Sequence, residues 1–421
     1  MRALLFNPTI PRFAATKLSG VFSRRSLWGR FSPLQFTEVS DPPLPADEWV
    51  RVTTRLGGIC GSDLSMLHLQ TSMVTSAYTS FPFVPGHENV GIIAQVGPAV
   101  QDLAVGQRVT VEPVLPCAAR GIDPPCVHCA AGDYNLCLRF TEGKISPGLL
   151  IGACRDTGGS WGENFVAHRS QVFPVPERVT DGNALLVEPM AVAVHPLLRH
   201  RPHDGATVLV IGGGVIGQCA IAALRALEIP ARVVALVKYP FQADMARRFG
   251  ADVAVLLGRG DAHYEAIAEL TSGILRRPML GKRVLIGGVD LTVECVGSSR
   301  SIDDALRLTR SGGTVLILGL ASVPRNVDWG PVWLNELNIT GSYIYGVEHW
   351  NGRRLRTVEV VLDWMTEGRV DLSPLLTHLY PLEAYPQAFA TAMGKAQTSA
   401  FKVAFHFPQT GSGREAAVPR G

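Results

Sequence analysis

Four of the eight cysteines lie close together, as Cys117, then Cys126 and Cys129 in a C-x-x-C, then Cys137. Four thiolates in one Pro/Gly/Asp-rich loop can close a tetrahedral shell around a zinc ion, and a shell with no open position is structural. Buried free thiols are one alternative and a zinc-ribbon nucleic-acid module another. The near-neutral charge and the lack of a basic stripe argue against nucleic acid. A second chemistry-bearing stretch, Gly212-Gly213-Gly214-Val215-Ile216-Gly217, fits G-x-G-x-x-G. That pattern is weak alone but gains weight here because it follows the apolar VLVI and opens a helical run. Gly212 can make the tight turn, Gly214 can admit a pyrophosphate and Gly217 can let helix and strand approach, while Val215 and Ile216 begin the helix whose N-terminus meets the phosphates. An NAD-binding unit usually places a carboxylate about 20 residues further on. Here the next strand, VVALV, ends at Val237-Lys238-Tyr239 with no carboxylate. Lys238 can pair with a 2′-phosphate, so the coenzyme is read as NAD(P) with a lean to NADP. The plainer reading makes Lys238 a solvated loop lysine and lets either nucleotide bind.

These residues need elements to hold them. The first 190 residues read as short strands separated by proline and glycine, among them LQFTEV, WVRVTTRL, VGIIAQV and RVTVEP, and so as a β-rich unit. From about 187 to 340 strands alternate with helical stretches: VLVIG and a helix to Leu227, VVALV and a helix to Phe249, LTVECVG and a helix to Thr309, then VLILG. Such alternation implies a parallel sheet with helices on both faces. Ala206 to Leu224 carries no charge and has about the length of a membrane span, but its triple glycine makes strand, turn and helix the better reading. Leu355, Val358, Leu362 and Met365 recur at helical spacing, and FKVAFHF reads as a closing strand, expected in the first unit's sheet. The last residues, 408–421, read as a disordered tail. With 47% hydrophobic and 18% charged residues and a net charge of +3, the chain is neither disordered nor a polyanion binder. Pro8 and Pro11 break the N-terminal apolar stretch before a signal-peptide core can form, so the expected location is the cytoplasm, with no membrane partner.

A further set of residues is spread along the chain: Gly58-Ile59-Cys60-Gly61-Ser62-Asp63, Gly86-His87-Glu88-Asn89-Val90-Gly91 and Val187-Glu188-Pro189. Gly86 to Val100 fits G-H-E-x(2)-G-x(5)-G-x(2)-V, the signature of the zinc-dependent alcohol dehydrogenases of the medium-chain dehydrogenase/reductase superfamily. Over nearly its whole length the chain resembles that family, especially its sorbitol and threonine dehydrogenase-like branch. The resemblance implies an α/β two-domain fold: a GroES-like catalytic domain over 1–190 with a structural zinc lobe at about 113–140, a Rossmann coenzyme domain over 191–337, and a return to the catalytic domain over 338–407. It implies that Cys60 and His87 ligate a catalytic zinc, that Glu88 and Glu188 are that site's carboxylates, one ligating while the other waits or exchanges, and that Asp63 orients His87. It assigns Cys117, Cys126, Cys129 and Cys137 to a structural zinc and Ser62 to the proton relay. Lys402 falls where relatives often place a basic residue near the coenzyme phosphates.

The implied reaction is hydride transfer between an alcohol or polyol and NAD(P), in a dimer or tetramer. Rivals are a zinc-independent quinone or enoyl reductase of the same superfamily and a non-catalytic nucleotide-binding redox sensor. Three departures stand out. Ser65 replaces the family's relay histidine, leaving water, ribose hydroxyls or His68 to continue the relay. ARGIDPPC lengthens the gap between Cys117 and Cys126, which makes Cys117 the weakest of the four assignments. Pro11 to Pro33 and His68 to Phe83 are extended, and the second extension could shape the substrate pocket or be a passive surface loop. His195, on the same helical face as Glu188, is expected to pack or cap rather than ligate. Cys154, Cys219 and Cys295 are expected in the core.

Overall fold

The computed structural model describes residues 1–20, 24–29 and 31–408; all of the expected tail but its first residue lies outside them. Two sheets organise the chain. One has seven strands, in the order Leu376–Pro381, Lys402–His406, Trp49–Gly58, Asn89–Val96, Arg108–Val111 and Val172–Pro174, with Asn164–His168 also paired to Trp49–Gly58. Trp49–Gly58 is the hub because its side chains alternate: Val50, Val52 and Thr54 are buried, while Arg51, Thr53 and Arg55 are only half-buried. FKVAFHF joins this same sheet, as expected, running antiparallel to the hub with Ala404 opposite Gly58 and His406 opposite Leu56.

The second sheet has six strands, all parallel, in the order Val253–Leu256, Arg232–Val237, Thr207–Ile211, Val289–Glu294, Thr309–Ile317 and Asn338–Gly341. Its strands are near-continuous apolar runs because helices cover both faces. The strand order is that of a doubly wound dinucleotide fold, which reverses between Thr207–Ile211 and Val289–Glu294 and leaves a crevice at their C-terminal ends. The uncharged window resolves into the Thr207–Ile211 strand, a glycine turn and the Val215–Ala226 helix. Among the described residues no helix is long and apolar enough to cross a membrane.

One helical reading shifts. The helix carrying Val358, Leu362 and Met365 is Thr357–Thr366, and Leu355 sits before it in a strand, Arg353–Arg356, paired with Val347–Trp350. Helical spacing over so short a window cannot tell a helix from the strand that precedes it.

Candidate functional site

Cys60 lies at the N-cap of the Gly61–Leu67 helix, directly after the hub strand, and His87 lies just before the neighbouring strand Asn89–Val96. Strand pairing therefore brings the two together, and the Cys60 thiol, the His87 ring and the Glu88 carboxylate offer ligand atoms within 4.8 Å of one another. Two glycines make this possible. A Cβ at Gly58 would meet the Glu88 carboxylate at 2.0 Å, and Gly86 has φ +99° with Ser160 and Trp161 packed where a side chain would go. Thiolate, imidazole and carboxylate form a donor set that suits zinc and leaves a coordination position for substrate.

Around these donors the polar groups are fixed. Asp63 accepts from the Cys60 backbone N–H at 2.8 Å and stands 3.6 Å from His87 Nδ1, an ion-pair separation rather than a hydrogen bond. Burial works against a charged His87, but the charge of Asp63 and the contact with Cys60 outweigh it and raise the imidazole well above its usual range. Glu188, on the buried face of the Val187–Arg199 helix, is not among the three converging donors. Burial, with the negative charge of Glu88, pushes its carboxyl up to about 7, while His87 and Lys402 pull it down. Ser62 Oγ is buried with no hydrogen-bond partner among the described residues.

Lys402 lines the same cavity as the glycine turn, and its immediate partner is a carboxylate. Its ammonium donates to both carboxylate oxygens of Glu88 at 2.5 Å and to the Ile59 carbonyl at 3.3 Å, with both side chains almost fully buried. Its charge is spent on the carboxylate beside His87. Nothing local in the sequence signals this pair, because 314 residues separate its members.

Residues Cys60, Gly61 and Glu88 share a cavity of about 550 Å³ with Gly212, Gly213, Gly214, Val215, Ile216 and Lys238. Gly212 has φ +111°, a Cβ on Gly214 would meet nothing within 4 Å, and a Cβ on Gly217 would strike the Gly212 carbonyl at 1.8 Å. Tight turn, open approach and close packing are thus distributed over the three glycines as a bound pyrophosphate requires. Lys238 is exposed at the cavity edge, with its ammonium 5.2 Å from the Tyr239 ring centroid. Cys295 also lines the cavity and is half-buried rather than in the core, whereas Cys154 and Cys219 are buried.

The four cysteines Cys117, Cys126, Cys129 and Cys137 are all buried with their sulfurs within 4.8 Å of one another, so the donor set fits a closed tetrahedral zinc site. Thiol donation from Cys129 and its neighbours holds Cys137 down to about 5, that is, as a thiolate. The long gap after Cys117 closes around Arg120, whose fully buried guanidinium donates to the carbonyls of Leu115, Glu142, Ile145 and Gly148 at 2.6 to 3.2 Å. His195 is away from the metal donors, its Nδ1 on the buried Glu348 carboxylate.

A parallel sheet of dinucleotide-binding order, a β-rich unit and a zinc-type donor set between them define a nucleotide-dependent, metal-assisted oxidoreductase. Residues 46–177 match the alcohol dehydrogenase GroES-like domain and residues 215–360 the zinc-binding dehydrogenase domain. Sorbitol dehydrogenase of Bacillus subtilis is 30% identical over 356 residues, covering 84% of this chain and 88% of that protein. L-Idonate 5-dehydrogenase of Vitis vinifera is 28% identical over 358 residues, covering 85% and 87%. Galactitol-1-phosphate dehydrogenase of Escherichia coli superposes with a TM-score of 0.70 at 22% identity, covering 96% of this chain and 100% of that one, a likeness of fold. The chain belongs to the zinc-dependent alcohol dehydrogenase family of the medium-chain dehydrogenases/reductases.

Proposed function

We propose that this protein transfers hydride between the carbinol carbon of a polyol, at a secondary alcohol, and NADP, beside a catalytic zinc that Cys60, His87 and a carboxylate would hold. The catalytic part is taken as 1–190 with 338–407, the coenzyme part as 191–337. The observation that carries the reading is the shared cavity, which sets the Cys60 and Glu88 side of one sheet against the glycine turn of the other. Two relatives named for polyol or sugar-acid oxidation support the substrate class. When bound, zinc supplies Lewis acidity at a hydroxyl or carbonyl oxygen, and the nicotinamide supplies the hydride acceptor.

The chain's own groups do the rest. Asp63 holds the Cys60 backbone and faces the far side of His87, which fixes the ring. Lys402 holds Glu88 in place, and Glu188, whose carboxyl is pushed up to about 7, is the second carboxylate within reach of the same charges. Ser62 Oγ, which has no hydrogen-bond partner among the described residues, would accept the substrate hydroxyl proton as it donates its own to a water molecule. Cys117, Cys126, Cys129 and Cys137 hold a second zinc that shapes the lobe and takes no part in chemistry. Lys238 and the missing carboxylate after Val237 favour the 2′-phosphate of NADP.

The test is metal analysis with a screen of polyols, amino alcohols and simple alcohols against NAD and NADP. Oxidation of a polyol, loss of activity in Cys60→Ala and loss of about half the zinc are expected. Activity surviving in Cys60→Ala with unchanged zinc would overturn the metal assignment, and a strong preference for NAD would overturn the role of Lys238. Sedimentation velocity reads the expected dimer or tetramer.

A further inference from the structure

One partly buried lysine in the coenzyme cavity has no counter-charge. Lys395 opens the helical turn Lys395–Thr398, between the Tyr385–Met393 helix and the Lys402–His406 strand, and lines the cavity together with Cys60, Gly61 and Gly212 to Gly214. It is half-buried, and among the described residues its ammonium has neither an ion pair nor a hydrogen bond. Burial and the nearby charge of Lys402 lower its pKa, the mark of a cation short of an anion. Lys402 cannot fill that role, since both oxygens of Glu88 already surround its ammonium. A partly desolvated ammonium without a partner is costly to keep, and a dianionic ligand in the same cavity removes the cost.

We propose that Lys395 neutralises the pyrophosphate of the coenzyme in the cavity it shares with the N-terminus of the Val215–Ala226 helix. The inference rests on the coenzyme reading above and adds to it a residue from the catalytic part of the chain. The three lysines of the cavity then have separate roles, in which Lys402 holds Glu88, Lys395 meets the pyrophosphate and Lys238 stands at the ribose end. The helix N-terminus supplies about half a positive charge and its backbone N–H groups, which leaves a pyrophosphate under-neutralised without a side-chain cation.

Titration calorimetry of wild type, Lys395→Met and Lys395→Arg with ADP-ribose, ADP and adenosine tests this without turnover. In Lys395→Met the affinity for ADP-ribose and ADP is expected to fall about tenfold while that for adenosine holds, and Lys395→Arg keeps most of the affinity. Unfolding midpoints of the three proteins are expected to agree, because the side chain has no partner to lose. Equal ADP-ribose affinity in wild type and Lys395→Met would overturn the proposal, as would an equal loss for adenosine, which would mark a distorted pocket. A hexitol phosphate that loses affinity in Lys395→Met while ADP-ribose does not would move the site to a substrate phosphate and overturn it too. If wild type binds no ADP-ribose, the coenzyme reading itself fails.

Discussion

Ser62 shows how much one buried atom can carry. Its hydroxyl oxygen is shielded from solvent, lacks a partner among the described residues and belongs to the second residue after Cys60. A buried hydroxyl left unpaired costs about 1–3 kcal/mol, so its place in the chain calls for a role when substrate arrives. Ser62→Ala is expected to lower kcat about 100-fold while leaving zinc content and ADP-ribose affinity unchanged, and Ser62→Thr to restore most of the rate. Steady-state rates beside metal analysis and calorimetry check this; a full rate in Ser62→Ala would remove it from the proton path. At this scale the sequence is a good guide to single residues with strong chemistry. Cys60, His87 and Glu88 are legible because their motifs are local and dense in unusual residue types. The Lys402–Glu88 pair is not legible, because partner choice between charges is made in space.

The cysteine lobe is the element where sequence and structure differ most usefully. Its widened Cys117-to-Cys126 gap makes Cys117 doubtful on spacing alone, yet Cys117 Sγ lies 3.7 Å from Cys137 Sγ and accepts from the Cys126 backbone N–H at 3.3 Å. Arg120, carried by the added loop, folds inward and gathers the carbonyls of Leu115 before the loop and of Glu142, Ile145 and Gly148 after it. Removing that guanidinium strands several buried acceptors at once. Arg120→Met is therefore expected to destabilise the protein by about 3 kcal/mol or more and to speed loss of zinc to a chelator, measured by denaturant unfolding and a colorimetric zinc indicator. Unchanged zinc release would show that the four sulfurs alone hold the loop. A second tie is the buried Glu112, which accepts from the Arg356 guanidinium while that group lies 4.2 Å from the Tyr134 ring centroid. The late hairpin thus grips the lobe. An arginine inside a loop insertion carries no sequence signal of burial, since most arginines are exposed.

Across the whole molecule, the working volume lies between two sheets that neither half builds alone. The cavity draws Ile59, Cys60, Gly61, Leu64 and Phe401 to Val403 from the β-rich sheet and its flanks, and Ile211 to Ile216 with Leu236 to Tyr239 from the parallel sheet. A ligand that bridges both halves and binds only the folded chain must stabilise it by mass action. NADP at about 100 times its dissociation constant is expected to add about 2.7 kcal/mol to stability, seen as a raised unfolding midpoint that grows with the logarithm of nucleotide concentration. A midpoint indifferent to nucleotide would mean that the cavity does not take it.

By itself the sequence determined the alternation of strands and helices, the closing strand, the glycine turn and the two groups of metal-type side chains. Those features are set by local periodicity and by residue types few other roles demand. Only the tertiary structure decided which carboxylate stands with Cys60 and His87, that Lys402 is bound to Glu88, that Arg120 folds inward from the longer loop, and that Lys395 shares the glycine turn's cavity without an anion among the described residues. Each of these is a choice among charges far apart in the chain, made by burial and distance, and neither quantity is written in local sequence.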